Sequence, residues 1–333
     1  MTESEFAALT TRQQVNKLRA VALEALRAYP LEIKRLSLLS HGFNTIFRVD
    51  DARGRKFALR LNVNSRRSLG NVRAELTWLE ALQRETDLRV PVVVLTRDGN
   101  LLQSLEHENA PRTLLSALFE WIPGPDIGEQ LSDKLVEELG ALTAKLHVHA
   151  FSFKLPDGCE LPTTESIFYD MPHHLFKMAH EHLPDSRLEV FRRGADATQA
   201  ISDAAWTRQA PRVIHTDLHQ WNLKRYRNQL IVFDFDDTAM GQPVQDLATS
   251  LYYLRGEKYD ASFRAALERG YSRIAPWPAA SEYELEALLA ARGLLLANDV
   301  ISNLNPEIVE IIPSFLEKTE NRMRNFLENG VYA

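Results

Sequence analysis

Two acidic clusters, each beside a short apolar run, lie within residues 213–248. The first contains Asp217 and, five positions later, Asn222; the second begins at Asp234, directly after an apolar run. A strand, a tight turn and a second strand would bring these three side chains close together. One carboxylate could then accept a proton. The amide oxygen and the other carboxylate could hold Mg²⁺, which prefers few protein oxygens and completes its shell with water and substrate phosphates.

This spacing is typical of phosphoryl transfer as protein kinases perform it. There, a catalytic-loop Asp accepts the proton of the substrate hydroxyl, an Asn five residues later holds one metal ion, and an Asp after the next strand holds metals that bridge the phosphates. We therefore predict Asp217 as the base and Asn222 and Asp234 as metal ligands. The alternative to a catalytic site is a purely structural acidic hairpin whose carboxylates cap turns. Unpaired Asp side chains beside buried strands are costly without a cation, however, and this favours the catalytic interpretation.

The same stretch resembles the aminoglycoside phosphotransferase and choline kinase-like family. The pattern of that family is His-Gly-Asp-x-His-x-x-Asn, then a strand ending in Asp-Phe-x-Asp, then Gly and Asp-Leu-Ala. The matching residues are His215, Asp217, His219, Asn222, Asp234, Asp237, Gly241 and Asp246-Leu247-Ala248. Thr216 stands where the family usually has Gly. The resemblance implies that His215 acts beside the base and that Asp237 is a further metal ligand.

The resemblance covers roughly residues 31–316 and implies a protein-kinase-like α+β fold with two lobes. The small N-terminal lobe would hold an antiparallel sheet with helices, and the larger C-terminal lobe would be mostly helical. Pro123, Gly124 and Pro125 break regular structure after a predicted strand. We therefore place the boundary between a nucleotide-binding lobe, residues 1–122, and a catalytic and acceptor-binding lobe, residues 123–333.

The N-terminal lobe is predicted to begin with a helix and three strands. The helix is expected at 11–29 and the strands at 33–39, 44–50 and 56–61. The loop after the first strand lies where the family covers ATP, so Ser40, Gly42 and Asn44 are implied as phosphate contacts. The linker to the next lobe implies that the Glu120 carbonyl and the Ile122 N–H meet the adenine. No G-x-G-x-x-G or P-loop motif supports a P-loop NTPase.

Arg60 ends the third strand, where kinase-like folds usually place a Lys that touches the α- and β-phosphates. Arg keeps the charge but binds phosphate with a planar fork, so the contact geometry changes. The helix predicted at 71–83 carries Glu75 in its first half, and we expect Glu75 to pair with Arg60. Without the resemblance, both side chains would be interpreted as surface charges.

The remaining segments are predicted mainly to support the site. We expect a hairpin of 90–95 with 101–105, and helices at 132–149, 249–254, 263–271, 281–299 and 306–327. Asp246 is expected to tie the catalytic loop. Residues 151–210 are the hardest to interpret, and in the family this region lines the acceptor pocket. Its histidines could bind an anionic substrate or lie on the surface: His173, His174, His180 and His182.

The composition is that of an ordinary globular protein and argues against several other classes. The 333 residues are 45% hydrophobic and 25% charged, which is ordinary for a globular chain with two cores. A net charge of −6 argues against nucleic-acid binding through phosphate contacts. The single Cys159 excludes an internal disulfide. We predict no signal peptide and no membrane span, and hence a cytoplasmic protein with no membrane partner; the oligomeric state stays open.

Together these features predict a Mg²⁺-dependent phosphotransferase that moves the γ-phosphoryl group of ATP, or of GTP, to a hydroxyl of a small-molecule acceptor. Amino sugars, choline-like or homoserine-like compounds and protein hydroxyls all remain open as acceptors. A nucleotide-binding pseudokinase is an alternative, which the intact Asp217, Asn222 and Asp234 argue against. A metal-dependent hydrolase would use His215 and His219 as ligands, but the linker and Asp234 favour ATP.

Overall fold

A computed structural model of the chain describes residues 1–169, 171–181, 183–256, 260–303 and 306–333. The chain forms two compact units. The first comprises Met1–Pro125, Leu155–Glu160 and Lys224–Asp236, and the second comprises Asp126–Lys154, Leu161–Leu223 and Asp237–Ala333. The sequence suggested one division, between residues 122 and 123. The chain instead returns to the first unit twice after that point, so neither unit is continuous in sequence.

The first unit is built on an antiparallel sheet with helices. Its strands are β1 (Ile33–His41), β2 (Thr45–Asp51), β3 (Lys56–Leu61), β4 (Val93–Val94), β5 (Gln103–Leu105) and β6 (Leu114–Glu120), and its helices are α1 (Glu3–Ala7), α2 (Thr11–Leu26) and α3 (Leu69–Glu85). The strands pair in the order β1-β2-β3-β6-β4, and β5 also pairs with β6. Strand β2 alternates buried and half-buried residues, which directs Phe47 and Val49 into the core.

The predicted hairpin of residues 90–95 with 101–105 is wrong in its pairing. The turn itself forms, because the Thr96 N–H donates to the Asn100 carbonyl at 3.0 Å. However, β4 and β5 each pair with β6 rather than with each other. Strand β6 is apolar and buried from Leu114 to Phe119. Its backbone groups cannot reach water and therefore take partners from several strands.

The second unit is mostly helical. Its helices are α4 (Asp133–Ser152), α5 (His174–Met178), α6 (Asp185–Arg208), α7 (Pro243–Leu254), α8 (Asp260–Ser272), α9 (Glu282–Val300) and α10 (Pro306–Asn329). Ser132 and Ser281 cap α4 and α9, because each hydroxyl accepts a backbone N–H of the first helical turn. The region 151–210 that was hard to interpret contains the long helix α6. His182 lies outside the described residues.

Four short strands frame the acidic clusters. They are β7 (Arg212–Ile214), β8 (Leu223–Tyr226), β9 (Gln229–Val232) and β10 (Ala239–Gly241). Strand β7 pairs with β10, and β8 pairs with β9. Arg227 and Asn228 join the second pair with positive φ angles of 49° and 60°, as a tight two-residue hairpin turn requires. Within the described ranges, none of the helices combines the length and the apolar character that crossing a bilayer needs.

Helices α4 and α8 approach closely because each has a glycine at the crossing. A Cβ atom on Gly270 would overlap the carbonyl of Glu137, and one on Gly140 would overlap that of Leu267. We expect Gly270→Ala to lower the free energy of unfolding by about 1–3 kcal/mol, since the two backbones must separate. Denaturant unfolding measures this loss.

The matched control is Gly42→Ala, because nothing lies within 4 Å of a Cβ atom at that position. Its unfolding midpoint should stay at the wild-type value. A Gly270→Ala protein that is as stable as the Gly42→Ala protein would show that the glycines do not set the helix spacing.

Candidate active site

Arg60 and Glu75 form the predicted ion pair in the first unit. The two guanidinium nitrogens donate to the two carboxylate oxygens at 2.8 and 2.6 Å. Both side chains are largely buried, and the guanidinium lies over the ring of Phe119 at 5.3 Å. Burial by itself lowers the pKa of Arg60, but the charge and hydrogen bonds of Glu75 raise it above its ordinary value. The strand therefore presents a fixed, permanently charged fork; its role toward phosphates stays a prediction.

The loop after β1 is closed by its own hydrogen bonds. The Gly42 N–H donates to the Asn44 carbonyl at 3.0 Å, and the Asn64 side chain donates to the Gly42 carbonyl at 2.7 Å. The Asn44 side-chain amide donates to Asp236 at 2.5 Å. Ser40 lies exposed in β1 opposite Ile46. Asn44 is thus tied to the second acidic cluster, while the phosphate contacts of Ser40 and Gly42 stay predictions.

Several of these side chains border one small pocket in the first unit. Asn44, Arg60, Glu75 and Asp236 all border it. The charges of Asp234 and Asp236 also act on Arg60 and help to raise its pKa. Asp234 itself is exposed two residues after the end of β9 and has a positive φ of 67°, which is uncommon for a residue with a side chain but tolerated by Asp. Asp234 and Asp236 therefore lie near the Arg60 guanidinium.

Glu120 and Ile122 lie where β6 ends. The Glu120 N–H donates to the Val92 carbonyl at 2.8 Å, and the following Trp121 N–H donates to the Lys56 carbonyl at 3.1 Å. Strand pairing thus fixes the backbone on both sides of Glu120. The adenine contacts of Glu120 and Ile122 stay predictions.

In the second unit, both oxygens of Asp217 accept hydrogen bonds. Arg292 donates to Oδ1 at 2.6 Å, Asn222 donates to Oδ2 at 2.9 Å, and the His219 Nε2 lies 3.2 Å from Oδ2. Burial by itself raises the pKa of Asp217, but the hydrogen bond from His219 and the charge of Arg292 hold it well below its ordinary value. Asp217 is therefore an ionised carboxylate of fixed orientation.

Asp246 ties the loop that carries Asp217, as predicted. Its carboxylate accepts the N–H groups of His215 and Thr216 at 2.9 and 2.6 Å and contacts His147 Nε2 at 3.0 Å. Thr216 has a φ of 67°, a left-handed conformation that costs a side-chain-bearing residue about 1–2 kcal/mol. Its hydroxyl donates to the Asp237 carbonyl at 2.8 Å. These bonds hold Thr216 in a conformation better suited to the Gly of the family pattern.

The two loop histidines bond to the loop itself. His215 is fully buried, and its Nδ1 accepts the Asp217 N–H at 3.3 Å. His219 lies beside the Asp217 carboxylate. In the part of the chain that the structure describes, no three His, Cys, Asp or Glu side chains group as in a metal site. The catalytic role of His215 and the metal roles of Asn222, Asp234 and Asp237 stay predictions.

Arg292 is the main residue that the sequence interpretation missed. It lies on α9 with its side chain 10% exposed, and it also donates to the Tyr253 hydroxyl at 3.2 Å. Arg292 borders a second pocket, together with Ile167, Tyr169, Gln245, Thr249, Leu288, Ala291 and Leu295. The available signal was a lone Arg in the apolar stretch of a helix, where burial demands a charged partner.

The chain is similar to known proteins in both sequence and structure. An uncharacterized protein of Synechocystis sp. is 28% identical over 238 residues, which cover 70% of this chain and 63% of that protein. This chain thus spans less than two thirds of that relative. A microcompartment-associated aminopropanol kinase superposes with a TM-score of 0.81 at 23% identity, over 95% of this chain and 99% of the other. An amicoumacin kinase, solved with AMP-PNP and Ca²⁺, superposes with a TM-score of 0.74 at 18% identity, over 94% and 96%.

These superpositions establish the protein-kinase-like α+β fold. The family itself comes from the sequence. The model of the phosphotransferase enzyme family matches residues 35–283, which include Arg60, Glu75 and both acidic clusters. The chain belongs to the phosphotransferase enzyme family.

Proposed function

We propose that this chain is a kinase that moves the γ-phosphoryl group of ATP to a hydroxyl of a small-molecule acceptor. The observation that carries the proposal is the bonding of Asp217. An ionised Asp accepts a hydrogen bond from an Asn five residues later, in a loop tied by Asp246. This is the catalytic-loop arrangement of phosphoryl transfer, and it occurs in a chain of a phosphotransferase family.

In the proposed reaction, Asp217 accepts a hydrogen bond from the acceptor hydroxyl and orients its oxygen. That oxygen forms a bond to the γ-phosphorus as the bond from the γ-phosphorus to the β,γ-bridging oxygen breaks. The proton passes to Asp217, and ADP leaves with the electron pair. Such sites act mainly by positioning and charge stabilisation. A low pKa suits this role, because the carboxylate needs to be ionised before the acceptor arrives.

Arg60 is assigned to the α- and β-phosphates of the nucleotide. Its guanidinium cannot lose its proton, and the N–H groups that do not bond to Glu75 can donate to phosphate oxygens. Asn44 and Gly42 are assigned to the loop that covers the phosphates. The open space above Gly42 supports this assignment, since a phosphate could approach the backbone there.

A divalent metal fits the residues assigned to it by donor chemistry. Asn222, Asp234 and Asp237 offer amide and carboxylate oxygens, the hard ligands that Mg²⁺ accepts along with water and phosphate. The exposure of Asp234 and Asp237 supports this assignment. When bound, Mg²⁺ would neutralise charge on the phosphates.

The acceptor is assigned to the pocket that Arg292 borders, because Arg292 bonds to the carboxylate that would receive the hydroxyl. The pocket is partly apolar and carries polar side chains from Tyr169, Gln245 and Thr249. Such a mixture suits a small polar metabolite. The similar aminopropanol and amicoumacin kinases are named for small-molecule substrates, and this supports a small hydroxyl compound over a protein.

Thermal unfolding with and without nucleotide tests the first step of the proposal. ATP at 100 times its Kd should stabilise the folded chain by about 2.7 kcal/mol, by mass action. We expect a rise in Tm with ATP that grows when Mg²⁺ is added, and parallel scans with GTP show which purine is preferred. The same Tm in buffer and in saturating Mg²⁺ with either nucleotide would contradict nucleotide binding.

A further inference from the structure

The hydrogen bond from Arg292 to the predicted base, Asp217, is shorter than the side-chain bonds that Asp217 receives from the catalytic loop. Its Nη2 lies 2.6 Å from Asp217 Oδ1, whereas His219 and Asn222 contact the other oxygen at 3.2 and 2.9 Å. Arg292 reaches this position from helix α9, 75 positions along the chain. Nothing in the catalytic motif accounts for it.

Arg292 is itself held in place. Its guanidinium lies 5.6 Å from the centre of the Tyr253 ring and donates to the Tyr253 hydroxyl at 3.2 Å. Nη1 reaches the Thr216 carbonyl at 3.5 Å. The Tyr253 ring also lies 4.1 Å from the ring of His219. These contacts fix the orientation of the Arg292 side chain, and its hydrogen bond to Oδ1 in turn fixes the orientation of the Asp217 carboxylate.

The donors of Asp217 also indicate which oxygen is open to an acceptor. A carboxylate offers about four acceptor positions, two on each oxygen. Oδ2 receives Asn222 and His219, whose Nδ1 accepts the Trp221 N–H at 3.2 Å, so that Nε2 carries the proton. Among the residues that the structure describes, Arg292 is the one that donates to Oδ1. One position on Oδ1 is left, and it lies beside the residue that borders the pocket of the second unit.

We propose that Arg292 is a positioning residue that aims Asp217 Oδ1 at the acceptor hydroxyl. This inference rests on the proposed function and extends it, since it names the reacting oxygen and the residue that presents it. Loss of Arg292 would let the carboxylate rotate about its side-chain bonds while His219 and Asn222 still hold Oδ2. A misplacement of about 1 Å can cost roughly 100-fold in rate.

Basal hydrolysis of Mg²⁺-ATP, with water in place of the acceptor, provides a test that needs no known substrate. Arg292→Gln should lower kcat about 100-fold and leave the KM for ATP within about threefold of the wild-type value. Arg292→Lys, which keeps the charge but loses the fork, should recover part of the loss. The matched control is Arg255→Gln, because Arg255 is equally buried and pairs with Glu286 at 2.8 and 3.0 Å in the same unit. Its kcat should stay near the wild-type value.

A double-mutant comparison separates positioning from a merely structural role. If Arg292 acts through Asp217, adding Arg292→Gln to an Asp217→Asn enzyme should lower kcat by less than about threefold. The effects on kcat of two residues that act together do not add. A full 100-fold loss in that background, or a fully active Arg292→Gln enzyme, would overturn this inference alone. A wild-type chain that neither hydrolyses ATP nor transfers its phosphate would overturn the proposed function, and this inference with it.

Discussion

Asp217→Asn is expected to lower the turnover of phosphoryl transfer by about 10²–10⁴-fold, the usual contribution of a general base. The amide fills nearly the same volume and can still accept from Arg292 or Asn222. It cannot take a proton from a hydroxyl, and its NH₂ group would oppose one of the donors that now surround the carboxylate. The loss should therefore appear in kcat. The Kd for Mg²⁺-ATP should change little, because Asp217 is assigned to the acceptor.

Calorimetric titration with a non-hydrolysable ATP analogue measures that Kd, and single-turnover transfer from labelled ATP measures the rate. Asp196→Asn is the control, since Asp196 lies on the exposed face of α6. The control should match the wild type in both measurements. An Asp217→Asn enzyme that keeps most of its turnover would refute the assignment of the base.

Asp234→Ala is expected to abolish the part of nucleotide affinity that depends on Mg²⁺. Loss of a residue that only hydrogen-bonds to a metal ligand often lowers metal affinity about 10–100-fold. Loss of a ligand itself should lower the affinity at least as much. Asp234 is exposed in the loop after β9, so the substitution removes a carboxylate without opening the core. Its charge also acts on Arg60, and removal leaves that cation freer for phosphate.

The measurement is the Kd for ATP with Mg²⁺ and with EDTA. In the wild type, Mg²⁺ should tighten binding; in Asp234→Ala, the two values should converge, while the EDTA value stays the same or improves. The EDTA titration is thus an internal control for folding. If Mg²⁺ lowers the Kd for ATP as much in the variant as in the wild type, Asp234 is not a metal ligand.

The site residues that were predictable from the sequence lie in short, local patterns. Asp217 and Asn222 belong to one loop, and their spacing brings them into contact without reference to the rest of the fold. The Arg60–Glu75 pair was predicted from the family resemblance, which places a cation on β3 and its Glu partner on the next helix. Asp246 was predicted as a loop tie from the Asp-Leu-Ala match, and it lies in the first turn of α7 with its buried carboxylate on backbone donors.

Contacts between residues far apart in sequence were not predictable in this way. The bond from Arg292 to Asp217 spans 75 positions, and the bond from Asn44 to Asp236 spans 192. Only the packing of whole helices and strands sets such contacts. The pairing of β4 and β5 shows the same limit, because a local turn signal cannot reveal that β6 offers a longer buried partner. Thr216 adds a backbone example, since its type gives no sign of a positive φ.

Phosphorus NMR of the wild-type chain with Mg²⁺-ATP and a panel of small hydroxyl compounds tests the central claim most directly. The panel should include an amino alcohol, an amino sugar, choline and a hydroxy amino acid. The proposal predicts that with at least one acceptor a phosphomonoester signal appears in step with ADP, and that Asp217→Asn gives neither. A chain that binds Mg²⁺-ATP but leaves it intact with every acceptor would contradict the proposal that this protein is a small-molecule kinase.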